Sequence, residues 1–197
     1  MSEQNNQNTS RPNKVTVHDI ALVGLMAAAV FVATYIRIEF PTPVGKGMVH
    51  LGNIVCLLAG LLFGPVRGGL SAGIGSFFFD IFGGWASSAP FTLVFKFMMG
   101  YLCGVISWGG NAKGTNTRKN IIGAITGMYG YVVLYLAKSF ITALMLGNVW
   151  QTALADVGIK ATTSFLNGTL AIVLSCLLAP VLRRALSRAG VYKKFVK

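Results

Sequence analysis

The chain has 197 residues, 54% hydrophobic and 11% charged, with a formal net charge of +12 and a mean hydropathy of +0.65. Soluble domains carry about 25% charged residues, so a water-facing globule of this composition lacks the polar surface to cover itself, and a lipid bilayer is the expected environment. The excess of 17 Lys and Arg over 5 Asp and Glu does not read as nucleic-acid binding, because the cations are scattered between apolar runs.

Residues 1–14 are polar and poor in aromatics, and predict a disordered cytoplasmic tail. The run that follows lacks a small-residue cleavage site and reads as a retained span, not a signal peptide. A hydrocarbon core about 30 Å thick needs about 20 apolar helical residues. Six stretches approach this: Val15 to Ile36, Met48 to Gly64, Gly68 to Gly84, Pro90 to Trp108, Ile121 to Gly147, and Ala153 to Leu182. The expectation is an all-α integral membrane protein, with a six-helix membrane domain over 15–185 and a basic cytoplasmic tail over 186–197. Between the second and third stretches only Pro65, Val66 and Arg67 intervene, which predicts a tight helical hairpin. Cys56, Cys103 and Cys176 lie deep in apolar stretches and read as small hydrophobes, with no disulfide framework, metal site or cofactor expected.

Cytoplasmic loops are enriched in Lys and Arg. With both termini inside, every cation falls on the inner side except Arg37, Lys46, Lys96, Lys138 and Lys160. The outer loops are then about 37–47, 85–89 and 148–152. Gly69 with Gly73, Gly100 with Gly104, and Gly123 with Gly127 are small-xxx-small pairs that read as internal helix packing. The first helix is small on more than one face, through Gly24 with Ala28 and Ala29 with Ala33. A helix at the start of the chain can offer such a face to a separate protein.

Intramembrane polar residues collect in the outer half. At 1.5 Å per residue, Asp80, Lys96 and Lys138 lie roughly 6, 9 and 14 Å from the outer helix ends. His50, Asn53, Trp85, Phe91, Tyr135 and Asn167 fall in the same half, while the inner halves are mostly aliphatic. Ionisable groups in hydrocarbon face cavities and pair, so Asp80 with Lys96 or with Lys138 is the expected ion pair, around an outward pocket or as a tie between helices. Zinc-protease spacing and a phosphate-cradling P-loop are both absent, and no histidine stands ready as a base for an intramembrane serine protease.

From Met48 to Ile106 the chain resembles the substrate-binding S components of energy-coupling factor (ECF) vitamin transporters, most closely the hydroxymethylpyrimidine/pyridoxine-type branch. The residues that carry the resemblance are His50-Leu51-Gly52-Asn53, the run Leu61 to Pro65, a Gly-rich helix ending in Asp80, and Ala89, Pro90, Thr92 and Lys96. Asn53 stands where many relatives carry Asp. The resemblance implies six helices in a prokaryotic plasma membrane and a vitamin site near the outer surface. It also implies a docking face on the first helix, at Ala29 and Ala33 with Gly24 and Ala28 adjacent, for a transmembrane T subunit that works with two ATPase subunits. Toppling of the S component would then deliver substrate inward.

The chain is thus expected to be a non-enzymatic transport subunit that binds pyridoxine or hydroxymethylpyrimidine, with pantothenate or riboflavin next. The pocket is expected at His50, Asn53, Asp80, Trp85, Phe91, Lys96, Tyr135, Lys138 and Asn167. An autonomous secondary carrier, a membrane-embedded enzyme and a scaffold bundle with structural charges remain open alternatives at this level.

Overall fold

The computed structural model describes residues 15–110, 112–190 and 192, so the tail expected over 1–14 and most of 191–197 lie outside the described residues. The elements are α1 (Val17–Tyr35), β1 (Arg37–Thr42), β2 (Gly45–His50), α2 (Gly52–Phe63), α3 (Pro65–Phe82), a 3-10 turn (Ala86–Ser88), α4 (Ala89–Trp108), α5 (Thr117–Met145) and α6 (Trp150–Arg188). The last helix runs past the expected start of the basic tail at 186.

A capping box starts α1: Asp19 N–H donates to the Thr16 hydroxyl oxygen (3.3 Å) and Thr16 N–H donates to the Asp19 carboxylate (2.9 Å). Asp19 also pairs with Arg67 at 2.7 Å, tying the start of α1 to the corner between α2 and α3. That corner is tighter than expected. Gly64 alone links the helices, at φ +84°, a conformation that favours glycine, and Pro65 is already the first residue of α3.

Among the described residues, four segments are long and apolar enough to cross a membrane: Val17–Tyr35, Ala86–Trp108, Thr117–Met145 and Trp150–Arg188. In α3, six glycines or serines with Arg67 and Asp80 dilute the apolar character. The 12 residues of α2 extend only about 18 Å, short of a hydrocarbon core about 30 Å thick. Every residue of α2 except Val55 is buried, against α1, α3, α4, α5 and α6. A helix that is apolar all round belongs at the centre of a bundle. Backbones meet closely there: a Cβ at Gly68 would sit 2.5 Å from Gly60 Cα, and one at Gly60 would sit 2.7 Å from the Gly100 carbonyl.

The all-α expectation needs one correction, because the segment expected as the first outer loop is a β-hairpin. β1 and β2 pair antiparallel from Arg37↔His50 to Thr42↔Gly45. Pro41 and Pro43, which cannot donate to a ladder, masked the strand signal in the sequence.

Replacing Gly68 by Ala therefore forces α2 from α3 and should cost about 2 kcal/mol, read as a lowered melting temperature of the purified protein. Gly24→Ala, where nothing lies within 4 Å of the new Cβ, should leave the melting temperature unchanged.

Candidate ligand-binding cavity

At the end of the bundle away from Arg67 lies a cavity of about 270 Å³. Residues Val44 to Met48 of the hairpin and His50 form one wall. Ser76, Phe79 and Asp80 of α3, Thr92, Phe95 and Lys96 of α4, and Tyr131, Tyr135, Lys138 and Ser139 of α5 form the others, with Lys160 from α6. Seven of the nine residues expected at the pocket line it: His50, Asp80, Trp85, Phe91, Lys96, Tyr135 and Lys138. Asn53 and Asn167 line a smaller recess of about 50 Å³ that shares Met48, His50, Tyr131 and Tyr135 with the main cavity.

Neither ion pair expected for Asp80 forms among the described residues. Lys96 Nζ instead donates to the Asn53 side-chain oxygen and stands 3.8 Å from the centre of the Tyr131 ring. Lys138 Nζ donates to the Ser88 hydroxyl at 2.8 Å and lies 5.6 Å from the Phe91 ring centre. Asp80 is buried, with Lys96 and Lys138 both close enough to act on it electrostatically. His50 accepts the Gly52 N–H at Nδ1 (3.1 Å), so its neutral ring carries the proton on Nε2.

The buried ion pair in this region is one the sequence reading did not single out. Asp156 and Lys160, one turn apart on α6, meet at 2.8 Å, and Lys160 donates to the Ser139 hydroxyl at 2.9 Å. The second Asp156 oxygen accepts the Val44 N–H at 3.2 Å, anchoring the hairpin turn to α6. Their i,i+4 spacing was a usable signal. On the other side of the hairpin, the Arg37 guanidinium carbon lies 5.2, 4.7 and 5.3 Å from the ring centres of Tyr35, Phe79 and Trp85, and Arg37 donates to Glu39 at 2.6 Å. That hydrogen bond holds the Glu39 carboxyl below its ordinary range against slight burial.

Aromatic surface surrounds the charges. Phe79 and Trp85 stack at 5.9 Å, and Tyr131 and Tyr135 at 6.0 Å. A planar ligand with polar substituents would meet rings on its faces and Asp80, Lys96, Lys138 and the His50 N–H at its edges. On the outside of the bundle, Gly24, Ala28 and Ala29 are exposed along α1, whereas Ala33 is half-buried. The pairs at Gly69/Gly73, Gly100/Gly104 and Gly123/Gly127 face neighbouring helices, as expected of internal packing.

A family model described as "ECF-type riboflavin transporter, S component" matches residues 14–184. A relative from Pyrococcus woesei, named as an uncharacterized protein in the gap 3′ region, is 36% identical over 99 residues. That match covers 50% of this chain and 66% of the relative, so the chain spans just under two thirds of the relative's length. A solved structure described as "Structure and mechanism of the S component of a bacterial ECF transporter" superposes with a TM-score of 0.61 at 18% identity, over 85% of this chain and 96% of that one. At that identity the likeness is one of fold.

Asp156→Ala removes the carboxylate from a buried lysine and the acceptor from the hairpin turn. It should cost about 3 kcal/mol of stability and speed tryptic cleavage after the exposed Lys46. Adding Lys160→Met should recover the melting temperature but not the protection of Lys46, because the Val44 acceptor is still missing. Unaltered cleavage in Asp156→Ala would show that the hairpin is held by other contacts.

Proposed function

The chain belongs to the family of ECF-type riboflavin transporter S components, and from that premise we propose that it captures a compact, ring-containing vitamin in the cavity beneath the hairpin. The family is a transporter subunit and not an enzyme, so the cavity's charges serve recognition. The observation that carries the reading is the placement of Asp80, Lys96 and Lys138 with stacked aromatic rings around one space of about 270 Å³.

Ligand pockets typically run from about 300 to 1,000 Å³. A cavity of about 270 Å³, just below that range, favours a single-ring vitamin of the pyridoxine or hydroxymethylpyrimidine kind. Riboflavin is the second reading, favoured by the family match, and pantothenate follows. Trp85, Phe91 and Tyr135 supply stacking surface, Asp80 accepts a ring N–H or hydroxyl, and His50 and the lysines donate. Asn53 acts through Lys96, and Asn167 closes the floor of the smaller recess.

Orientation follows from charge. Arg67 at the α2/α3 corner and Arg183, whose guanidinium donates to the Leu61 carbonyl at 3.2 Å, mark the end opposite the cavity. The positive-inside rule makes that end cytoplasmic, so all six helices sit in a prokaryotic plasma membrane with both termini inside and the cavity outward. Energy for release comes from a T subunit and two ATPase subunits. The exposed small residues Gly24, Ala28 and Ala29, with Ala33 at the edge, form the face they engage.

Calorimetric titration of the purified chain with pyridoxine, hydroxymethylpyrimidine, riboflavin and pantothenate should give micromolar or tighter binding for one of them, weakened about tenfold or more by Asp80→Asn. Failure of all four to bind would refute the reading. Ala28→Trp and Ala29→Trp should abolish co-purification with T and ATPase partners while leaving vitamin affinity intact; undiminished complex yield would remove α1 as the docking face.

A further inference from the structure

The cavity's charges do not cancel. Its walls carry Asp80 and four lysines, Lys46, Lys96, Lys138 and Lys160. Lys160 is answered by Asp156 at 2.8 Å, and Lys46, which shares Glu39 (3.6 Å) with Arg37, is exposed and keeps its charge in water. Lys96, only 3% exposed, has a neutral amide oxygen and an aromatic ring for company, and Lys138 has a neutral hydroxyl and an aromatic ring. Among the described residues no carboxylate forms an ion pair with either. Asp80, 5% exposed, is within electrostatic reach of both and in salt-bridge contact with neither.

By formal charge, one carboxylate and two ammonium groups therefore surround the same enclosed space, an excess of one cation. Charge held out of water in a membrane is costly unless it is met by an opposite charge. Neutral dipoles and ring faces orient an ammonium without neutralising it. A ligand that brings one negative charge balances the site.

We propose that the vitamin recognised here carries an anionic oxygen, a carboxylate or a phenolate, held by Lys96 and Lys138, while Asp80 takes a ring N–H or a hydroxyl. The proposal rests on the reading of the cavity as a vitamin site and narrows its substrate class. Pyridoxine in its dipolar form presents a phenolate to the lysines and a protonated ring nitrogen to Asp80, so each charge of the site is met locally although the ligand's net charge is zero. Its anion, with the ring nitrogen unprotonated, brings the full negative charge. Pantothenate meets the lysines through its carboxylate. Hydroxymethylpyrimidine and riboflavin bring no such group.

Three matched pairs separate the classes on the purified full chain by calorimetry: pantothenate with pantothenol, nicotinate with nicotinamide, and pyridoxine with its 3-O-methyl ether. One anionic member should bind about tenfold or more tightly than its neutral partner. Lys138→Met and Lys96→Met should each erase that preference, weakening the anionic member about tenfold or more and the neutral one by a markedly smaller factor. Should Lys96→Met fail to fold, the half-buried Lys138 carries the test, with monodispersity in size-exclusion chromatography as the control. Neutral members binding as well as their anionic partners would overturn the proposal and leave the vitamin site standing. So would riboflavin or hydroxymethylpyrimidine binding more tightly than every anionic probe. Absence of binding by all eight compounds would overturn both.

Discussion

An ammonium or carboxylate drawn into the hydrocarbon depth of a bilayer must be met by another group, and the architecture around the cavity follows from that requirement. Lys96 projects from α4 and finds Asn53 on α2 and the ring of Tyr131 on α5. Three helices are thereby fixed around one nitrogen. Asp156 and Lys160 do the same for α6, engaging Ser139 on α5 and the backbone of Val44 in the hairpin. Without these two knots, neither the cavity's depth nor the hairpin wall above it would be defined.

The opposite end is built on different physics. There Gly64 turns the chain in one residue, Gly60 and Gly68 let α2 and α3 touch, and Gly100 admits α4. Lipid offers no hydrophobic drive for one apolar helix to prefer another, so close backbone approach and the dispersion it brings hold this end together. The Leu61 carbonyl near the end of α2 receives hydrogen bonds from Trp108 Nε1 (3.2 Å) and Arg183. A dry, glycine-packed end and a polar, hollow end give the bundle the asymmetry that substrate capture from one side requires.

Much of the site was legible because charge in an apolar context is conspicuous. Asp80, Lys96 and Lys138 stand out from mostly apolar helical stretches, and counting residues from the helix ends puts all three in the same half of the bundle. Partnership was not legible. Whether Lys96 meets Asp80 or Asn53 depends on how α2 rotates against α4, which the glycine contacts decide and no spacing reveals. Asp156 and Lys160 were passed over because they lie near a loop where charges are ordinary, although their separation is that of a helical ion pair. The hairpin is not legible because its two prolines resemble a turn, and the length of α2 is not legible because an all-apolar run marks a core helix as readily as a longer membrane helix. The membership in the S-component family and the shared fold show how far local motifs between Met48 and Ile106 can carry a reading.

The central claim is that the space bounded by Asp80, Lys96, Lys138 and their aromatic neighbours holds a vitamin. Native mass spectrometry of the chain, purified from a prokaryotic host and released from detergent, addresses it directly. The account predicts one small, vitamin-mass adduct per chain, absent when Thr92→Trp fills the cavity on a protein that is still folded. A bare chain in vitamin-supplemented cells, or an adduct that survives Thr92→Trp, would contradict it.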